Sequence, residues 1–448
     1  MKYIYQIGRI DKNILENKKF RIDNEIFEAP LSGIALKEYF KNKKQDVKLV
    51  LIYPISLAIN KTVTDQKLNP LCDKIAELFH DKTKLNNFIK YPCKFFKCHP
   101  HNKYADYFFV VHSIGEYEGI NFKTDFSFIV LEIFCDIIKR YIKWEKIQNK
   151  DSNFELYIDI STGLNIYITS LIEAARYFVV FQKLRNWDNT KKVTVKIVFS
   201  DPIIGSSSQV YNLYFDYQLD VKVFLVSPIK KEDLDFKLAR QIFAGEDEKE
   251  LKQKLNKLLE DFAILFSSVK NTTPLIWFTF KFENSTLLNE LIKKCYKIFL
   301  SNWQSSYSID VSCFLKAFLC ISFYEGLLRV LKKKGIEFGR GEVSLEDLKN
   351  IKSKLKEIFP DLKIELLGNE LANLERNRNC FSNCSSWTLL KNFVGGESQE
   401  FQPRNFIAHG GFERNIVEVK IENNDLNFRY VDSKDVLDKI KSTLINNL

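Results

Sequence analysis

Apolar positions along the chain fall into two regimes. As far as about residue 228, short continuous apolar runs alternate with longer stretches of helical spacing. Lys2–Ile10, Asp46–Tyr53, Tyr107–His112, Phe154–Ile160, Val193–Phe199 and Val221–Val226 read as strands, most of them bounded by proline, glycine or small polar residues. Leu36–Phe40 belongs to a helix, Ser127–Trp144 forms a long one, and a further helix runs to about Leu184. Continuous apolar strands that alternate with helices predict a mostly parallel sheet covered on both faces, an α/β, Rossmann-like layout. Residues 60–105 interrupt the alternation with a polar, helix-prone insertion.

Past Pro228-Ile229-Lys230-Lys231 the pattern turns mostly α-helical. Leu234–Val269 carries Lys, Glu and Leu at helical spacing, and Asp310–Lys334 is amphipathic and ends in a basic turn with Gly335 as its stop. Val417, Val419 and Ile421 alternate with polar residues, as do Leu426, Phe428 and Tyr430. With Asn423-Asn424-Asp425 between them they predict a small β-hairpin, followed by a helix from Ser433. Two domains follow, 1–228 and 229–448, as expected for a chain of 448 residues.

Composition narrows this little. Hydrophobic residues make up 45% and charged residues 28%, ordinary for a soluble globular protein. A net charge of +10 tolerates a polyanionic partner without demanding one. The first residues read as a strand rather than a targeting signal. Glu132 and Lys316 interrupt the most apolar stretches, neither of which offers the roughly 20 uncharged residues of a membrane span. A cytoplasmic location is expected. Nine scattered cysteines read as free thiols in a reducing compartment. Cys93, Cys98, His99 and His101 are zinc-type donors, but their spacing matches no standard finger, and no metal is expected there.

Two segments carry chemistry. Asp159-Ile160-Ser161-Thr162-Gly163-Leu164-Asn165 joins a strand to a helix. Ser161 and Thr162 are expected to cap that helix and Gly163 to let a ligand approach the backbone. The helix N-terminus then forms an anion site at the carboxyl edge of the sheet. Gly8-Arg9 and Ser113-Ile114-Gly115 follow other strands and point to the same crevice. No dinucleotide or ATP-binding glycine spacing is present, which argues against those cofactors.

The second segment is Gln402-Pro403-Arg404-Asn405-Phe406-Ile407-Ala408-His409-Gly410-Gly411, read as a short helix with proline at its start and glycine at its stop. Arg404 and His409 lie about 140° apart around a helix and converge poorly within one chain. A two-fold dimer brings two such pairs around one cleft. A histidine moves protons near neutral pH, and an arginine holds a phosphate and stabilises charge on it. RNA brings its own 2′-hydroxyl nucleophile, so cleavage to a 2′,3′-cyclic phosphate and a 5′-hydroxyl requires no metal.

Arg404-Asn405-Phe406-Ile407-Ala408-His409 resembles the Arg-Asn-x-x-x-His motif of HEPN ribonucleases, in the form found in CRISPR-associated CARF–HEPN proteins of type III systems. The turn at 159–165 is similar to the ligand turn of CARF domains, and Ser113–Tyr117 resembles a recurring segment of that subfamily. The resemblance is weak across 60–105 and 230–300. It implies a CARF sensor for a cyclic oligoadenylate, most often cyclic tetra-adenylate, which switches on a HEPN dimer that cuts single-stranded RNA. It gives Arg404, His409 and Asn405 to catalysis, and Ser161, Thr162, Gly163 and Asn165 to the activator. Gly8, Arg9, Ser56, Ser113 and Gly115 are further activator-binding candidates. Many relatives carry histidine where Thr162 stands, which leaves open the activator's ring size and any cleavage of it by this domain. Two other readings compete: a non-catalytic nucleotide-sensing regulator that dimerises or binds DNA through its helical half, and a HEPN toxin restrained by a protein partner.

Overall fold

The apolar runs of the first half build one sheet. In the computed structural model, which describes every residue except 12, 62–69, 148–152, 188–191, 203–208, 236, 306–308, 383 and 396–399, the chain forms two compact units. Met1–Gln182, Asn189–Lys222 and Asn289–Leu315 make the first. Lys183–Asp188, Val223–Leu288 and Lys316–Leu448 make the second.

The first unit runs β1 (Lys2–Ile7), β2 (Lys18–Ile22), β3 (Glu25–Ala29), α1 (Ser32–Asn42), β4 (Val47–Pro54), α2 (Pro70–His80), α3 (Lys82–Lys90) and α4 (Pro92–Phe96). It continues with β5 (Tyr107–Val111), β6 (Ile114–Tyr117), β7 (Ile120–Lys123), α5 (Phe126–Ile147), β8 (Phe154–Asp159), α6 (Asn165–Arg185), β9 (Val193–Ser200) and β10 (Val210–Gln218). The sheet order is β3-β2-β10-β9-β8-β1-β4-β5. The five strands β9, β8, β1, β4 and β5 are mutually parallel, and β10 runs antiparallel to β9. Ile4, Leu49, Leu51, Leu156 and Ile158 are wholly buried, as strands covered on both faces require.

Three sequence expectations change here. Val221–Val226 is not a strand: Phe224 and Val226 are 67% and 68% exposed, and the antiparallel strand is β10 instead. The β2–β3 hairpin was not anticipated. Ser113-Ile114-Gly115 leads into a second hairpin, β6–β7. The insertion is helical as expected over α2–α4, while 62–69 lies outside the described residues.

Residues 289–315 belong to the first unit for a visible reason. His112 is fully buried, with Nδ1 2.6 Å from Glu132 Oε1 on α5 and Nε2 2.6 Å from the Asn302 carbonyl. Trp303 stacks on its ring at 4.8 Å. Nearby, Asp136 on α5 accepts from the hydroxyls of both Tyr5 (2.7 Å) and Tyr296 (3.3 Å).

Further along the chain come α7 (Lys231–Leu234), α8 (Lys237–Ile242), α9 (Lys249–Lys270), α10 (Leu275–Thr279), α11 (Leu287–Phe299) and α12 (Val311–Lys333). After them follow β11 (Val343–Ser344), α13 (Leu345–Ile358), α14 (Glu365–Arg376), β12 (Thr388–Leu389), α15 (Lys391–Val394), α16 (Pro403–Ala408), β13 (Val417–Glu422), β14 (Asp425–Tyr430) and α17 (Lys434–Asn446). The helix expected over Leu234–Val269 is thus broken into pieces. The hairpin forms as expected, with Asn423 and Asn424 at φ 50° and 60°, a left-handed turn that asparagine tolerates. Two-residue strands widen it to the four-stranded order β11-β14-β13-β12. Helix α12 is long and apolar enough to cross a membrane by composition, but 78% of its most apolar window is buried inside the protein.

Candidate functional site

In the first unit the carboxyl ends of β1 and β8 share a buried polar network. Gln6 and Asp159 sit side by side in register and are both wholly buried. Gln6 Nε2 donates to Ser32 Oγ (2.8 Å), and Ser32 donates to Asp159 Oδ2 (2.7 Å). The other carboxylate oxygen accepts the Ser161 N–H at 2.9 Å, which fixes the turn before α6. Burial pushes the Asp159 carboxyl up to about 6, against the pull of its hydrogen bonds.

In front of this network lies a cavity of about 410 Å³ whose wall includes Gln6, Arg9, Lys18, Ser32, Ser161, Thr162 and Gly163. The Ser161 and Thr162 hydroxyls are buried without a hydrogen-bond partner among the described residues, so neither makes the helix cap expected of it. A Cβ built on Gly163 meets nothing within 4 Å, which leaves the mouth open. Arg9 is tethered by the carbonyls of Asn13 (3.2 Å) and Pro30 (3.3 Å). Burial and the Arg9 guanidinium hold the Lys18 ammonium below its usual range. Two cations line one cavity against one carboxylate, Asp11, among the described residues of its wall, and favour an anionic occupant.

Five other candidates lie outside this wall. Gly8 is buried, and a Cβ there would sit 2.2 Å from the Tyr53 ring, so its smallness serves packing. Ser56 and Ser113 are buried and bonded to each other, Oγ to Oγ at 2.9 Å. Gly115 is exposed in the β6 hairpin at φ 102°, and Asn165 is exposed at the start of α6. Gln6, Lys18 and Ser32 were missed, because only the sheet register and the α1 packing bring them to the turn at 159–165.

His99 bonds protein groups through both ring nitrogens, while His101 does so through Nε2 only and keeps Nδ1 buried without a partner among the described residues. His99 meets Tyr53 Oη (3.1 Å) and the Arg9 carbonyl (3.0 Å), and His101 meets the Ile14 carbonyl (2.6 Å). Burial lowers their imidazoles to about 3 and about 4. Among the described residues no group of three or more His, Cys, Asp or Glu is placed to hold a metal.

In the second unit, α16 begins at Pro403 and ends with His409 as its cap, as the sequence predicted. A cleft of about 330 Å³ opens there, lined by Glu370, Asn373, Asn377, Asn405, His409, Glu413 and Arg414 among others. His409 Nδ1 donates to Glu370 Oε2 at 3.0 Å, and its side chain is 52% exposed. Glu413 is 2% exposed, and burial raises its carboxyl although Asn415, Arg414 and His409 pull the other way. Arg414 donates to the Gly395 carbonyl at 2.7 Å. Arg404 is exposed on the first turn of α16 and lies outside the cleft wall of its own chain, in keeping with its angular separation from His409. The sequence reading missed Glu370, Asn373, Asn377 and Arg414.

A family model described as the CARF domain of the CRISPR system endoribonuclease Csx1 matches residues 2–202, and the HEPN-domain model of the same family matches 361–433. A Methanocaldococcus jannaschii protein described as CRISPR system endoribonuclease Csx1 is 24% identical over 307 aligned residues, 62% of this chain and 62% of the relative. The chain belongs to the Csx1 family. All the residues named around the cavity fall in the Csx1 CARF match, and all those named around the cleft fall in the Csx1 HEPN match. The α/β first half therefore contains the Csx1 CARF match, and the helical second half with its small antiparallel sheet contains the Csx1 HEPN match. The match spans under two thirds of the relative's length.

Proposed function

We propose that this chain is a single-stranded RNA endoribonuclease of type III CRISPR antiviral defence, cytoplasmic and homodimeric, and switched on by a cyclic oligoadenylate, cyclic tetra-adenylate being the first to test. The observation that carries the reading is the His409–Glu370 pair at the cleft. With Nδ1–H given to the carboxylate, Nε2 is the ring nitrogen left to accept a proton. It takes the proton of a 2′-hydroxyl, whose oxygen attacks the adjacent phosphorus. The P–O5′ bond breaks, the 5′-oxygen leaves as a hydroxyl with a proton from water, the proton on His409 returns to solvent, and a 2′,3′-cyclic phosphate remains. The nucleophile comes from the substrate, so no step requires a metal. Asn405 and Arg414 line the same cleft and are suited to phosphate oxygens. Arg404 reaches a cleft as part of a two-fold dimer, stabilising charge on the phosphate.

The activator occupies the CARF cavity. Its phosphates meet Arg9, Lys18 and the N-terminus of α6, and the unpartnered Ser161 and Thr162 hydroxyls take up its remaining polar groups. The test is single-stranded RNA incubated with the protein, cyclic oligoadenylates of several ring sizes, and EDTA. Cutting that appears only with activator, persists in EDTA, leaves cyclic-phosphate ends and vanishes in His409→Ala is expected. Activator-independent or EDTA-abolished cutting overturns the reading.

A further inference from the structure

On the far side of α14 from the cleft lies a groove of about 690 Å³ between α13 and α14. Its wall carries four cations, Lys349, Lys352, Lys356 and Arg376, against one carboxylate, Glu375. Lys349 is neutralised by Glu375 at 2.8 Å, while Lys352, Lys356 and Arg376 have no ion pair among the described residues. Such an excess in a concave surface draws a polyanion.

Helix geometry links the groove to the cleft. At about 100° per residue, Glu370, Asn373 and Asn377 form one flank of α14, and Gly368, Leu371 and Glu375 form the opposite one. Leu367, Leu371 and Leu374 anchor the buried face. The solvent ridge between the flanks runs through Glu365, Asn369, Ala372 and Arg376 with Asn373 beside it, all exposed, and its one acid, Glu365, stands at the N-terminal end of the helix. A phosphodiester chain that leaves the cleft past the first turn of α14 crosses a helix about 10–12 Å wide over Asn369, Ala372, Asn373 and Arg376, none of them acidic. It arrives at three cations without an ion pair among the described residues.

We infer that the α13–α14 groove binds the backbone of single-stranded RNA beside the cutting cleft and so favours long substrates over short ones. The partner's identity rests on the nuclease reading above; the groove itself is tested by binding. His409→Ala protein is titrated against a long, labelled single-stranded RNA over a range of salt, alone and with Lys352→Gln, Lys356→Gln and Arg376→Gln combined. Three lost phosphate contacts at about 0.7 each reduce the slope of log affinity against log salt by about 2. In protein with His409 intact, the triple variant raises KM for long RNA about tenfold and leaves kcat within about twofold. A control with equal charge loss elsewhere, Lys249→Gln, Lys254→Gln and Lys434→Gln, keeps the parental slope. The proposal is overturned by an unchanged slope in the groove variant, by an equal change in the control, or by no RNA binding in the parent. Binding with the expected slope loss but no cutting by the intact protein in the presence of cyclic oligoadenylates upholds the groove and removes the nuclease reading instead.

Discussion

His409 and Glu370 stand 39 residues apart in the chain, yet their side chains meet at 3.0 Å across the cleft. The carboxylate, 17% exposed, fixes which ring nitrogen holds the proton and where the imidazole points. It acts through His409, so it is a positioning residue. Glu370→Ala is expected to lower kcat by about ten- to a hundredfold with KM within about twofold, while His409→Ala loses on the order of 10²–10⁴. Glu370→Asp recovers part of the loss. Steady-state cleavage at saturating activator decides the matter; a wild-type kcat in Glu370→Ala removes the orienting role.

Two glycines offered as activator contacts should separate cleanly. Gly8→Ala drives a methyl into the Tyr53 ring and is expected to cost about 1–3 kcal/mol in urea unfolding. Gly163→Val enters open space, so the unfolding midpoint stays put. Its side chain narrows the cavity mouth, and the activator concentration for half-maximal cutting rises by about tenfold or more. Equal effects of both substitutions on stability would contradict this assignment.

Acid stability carries opposing contributions from the first unit. Asp159 is held at about 6, above its unfolded value, so its contribution is full below about pH 4 and is lost as pH rises through 6. The loss is on the order of 3 kcal/mol. His99 and His101 are depressed to about 3 and about 4, so their contribution is present above about pH 6.5 and is lost as pH falls. Asp159→Asn is therefore expected to gain melting temperature over wild type at pH 7 relative to pH 4. His101→Gln should shift the opposite way. Thermal unfolding at the two pH values checks both signs, and parallel curves for all three proteins would refute them.

Much of the first half was legible because its strands are continuous apolar runs whose burial is decided locally. Exceptions fall where pairing is the deciding term. In β10, Tyr211 and Leu213 are buried while Tyr214 and Tyr217 are 47% and 64% exposed, so aromatic residues on both faces hid the alternation. Val221–Val226 carries a stronger apolar signal but finds no neighbouring strand. At the cleft, the short helix and His409 could be read from proline and glycine placement. Glu370, Asn373 and Asn377 could not, because their relation to His409 exists only once α14 packs against α16's end. Gln6 and Ser32 reach the cavity for the same kind of reason, through strand register and a hydrogen bond to Asp159.

The Tyr53 ring occupies the space that a side chain at position 8 would need. This obstacle is a movable ring rather than a backbone carbonyl, so a smaller residue at 53 would relieve it. Across evolutionary time the two positions are bound to change together. A lineage that acquires alanine or serine at 8 is expected to have traded the tyrosine for something slimmer, a coupled exchange that an alignment of many descendants would display as covariation.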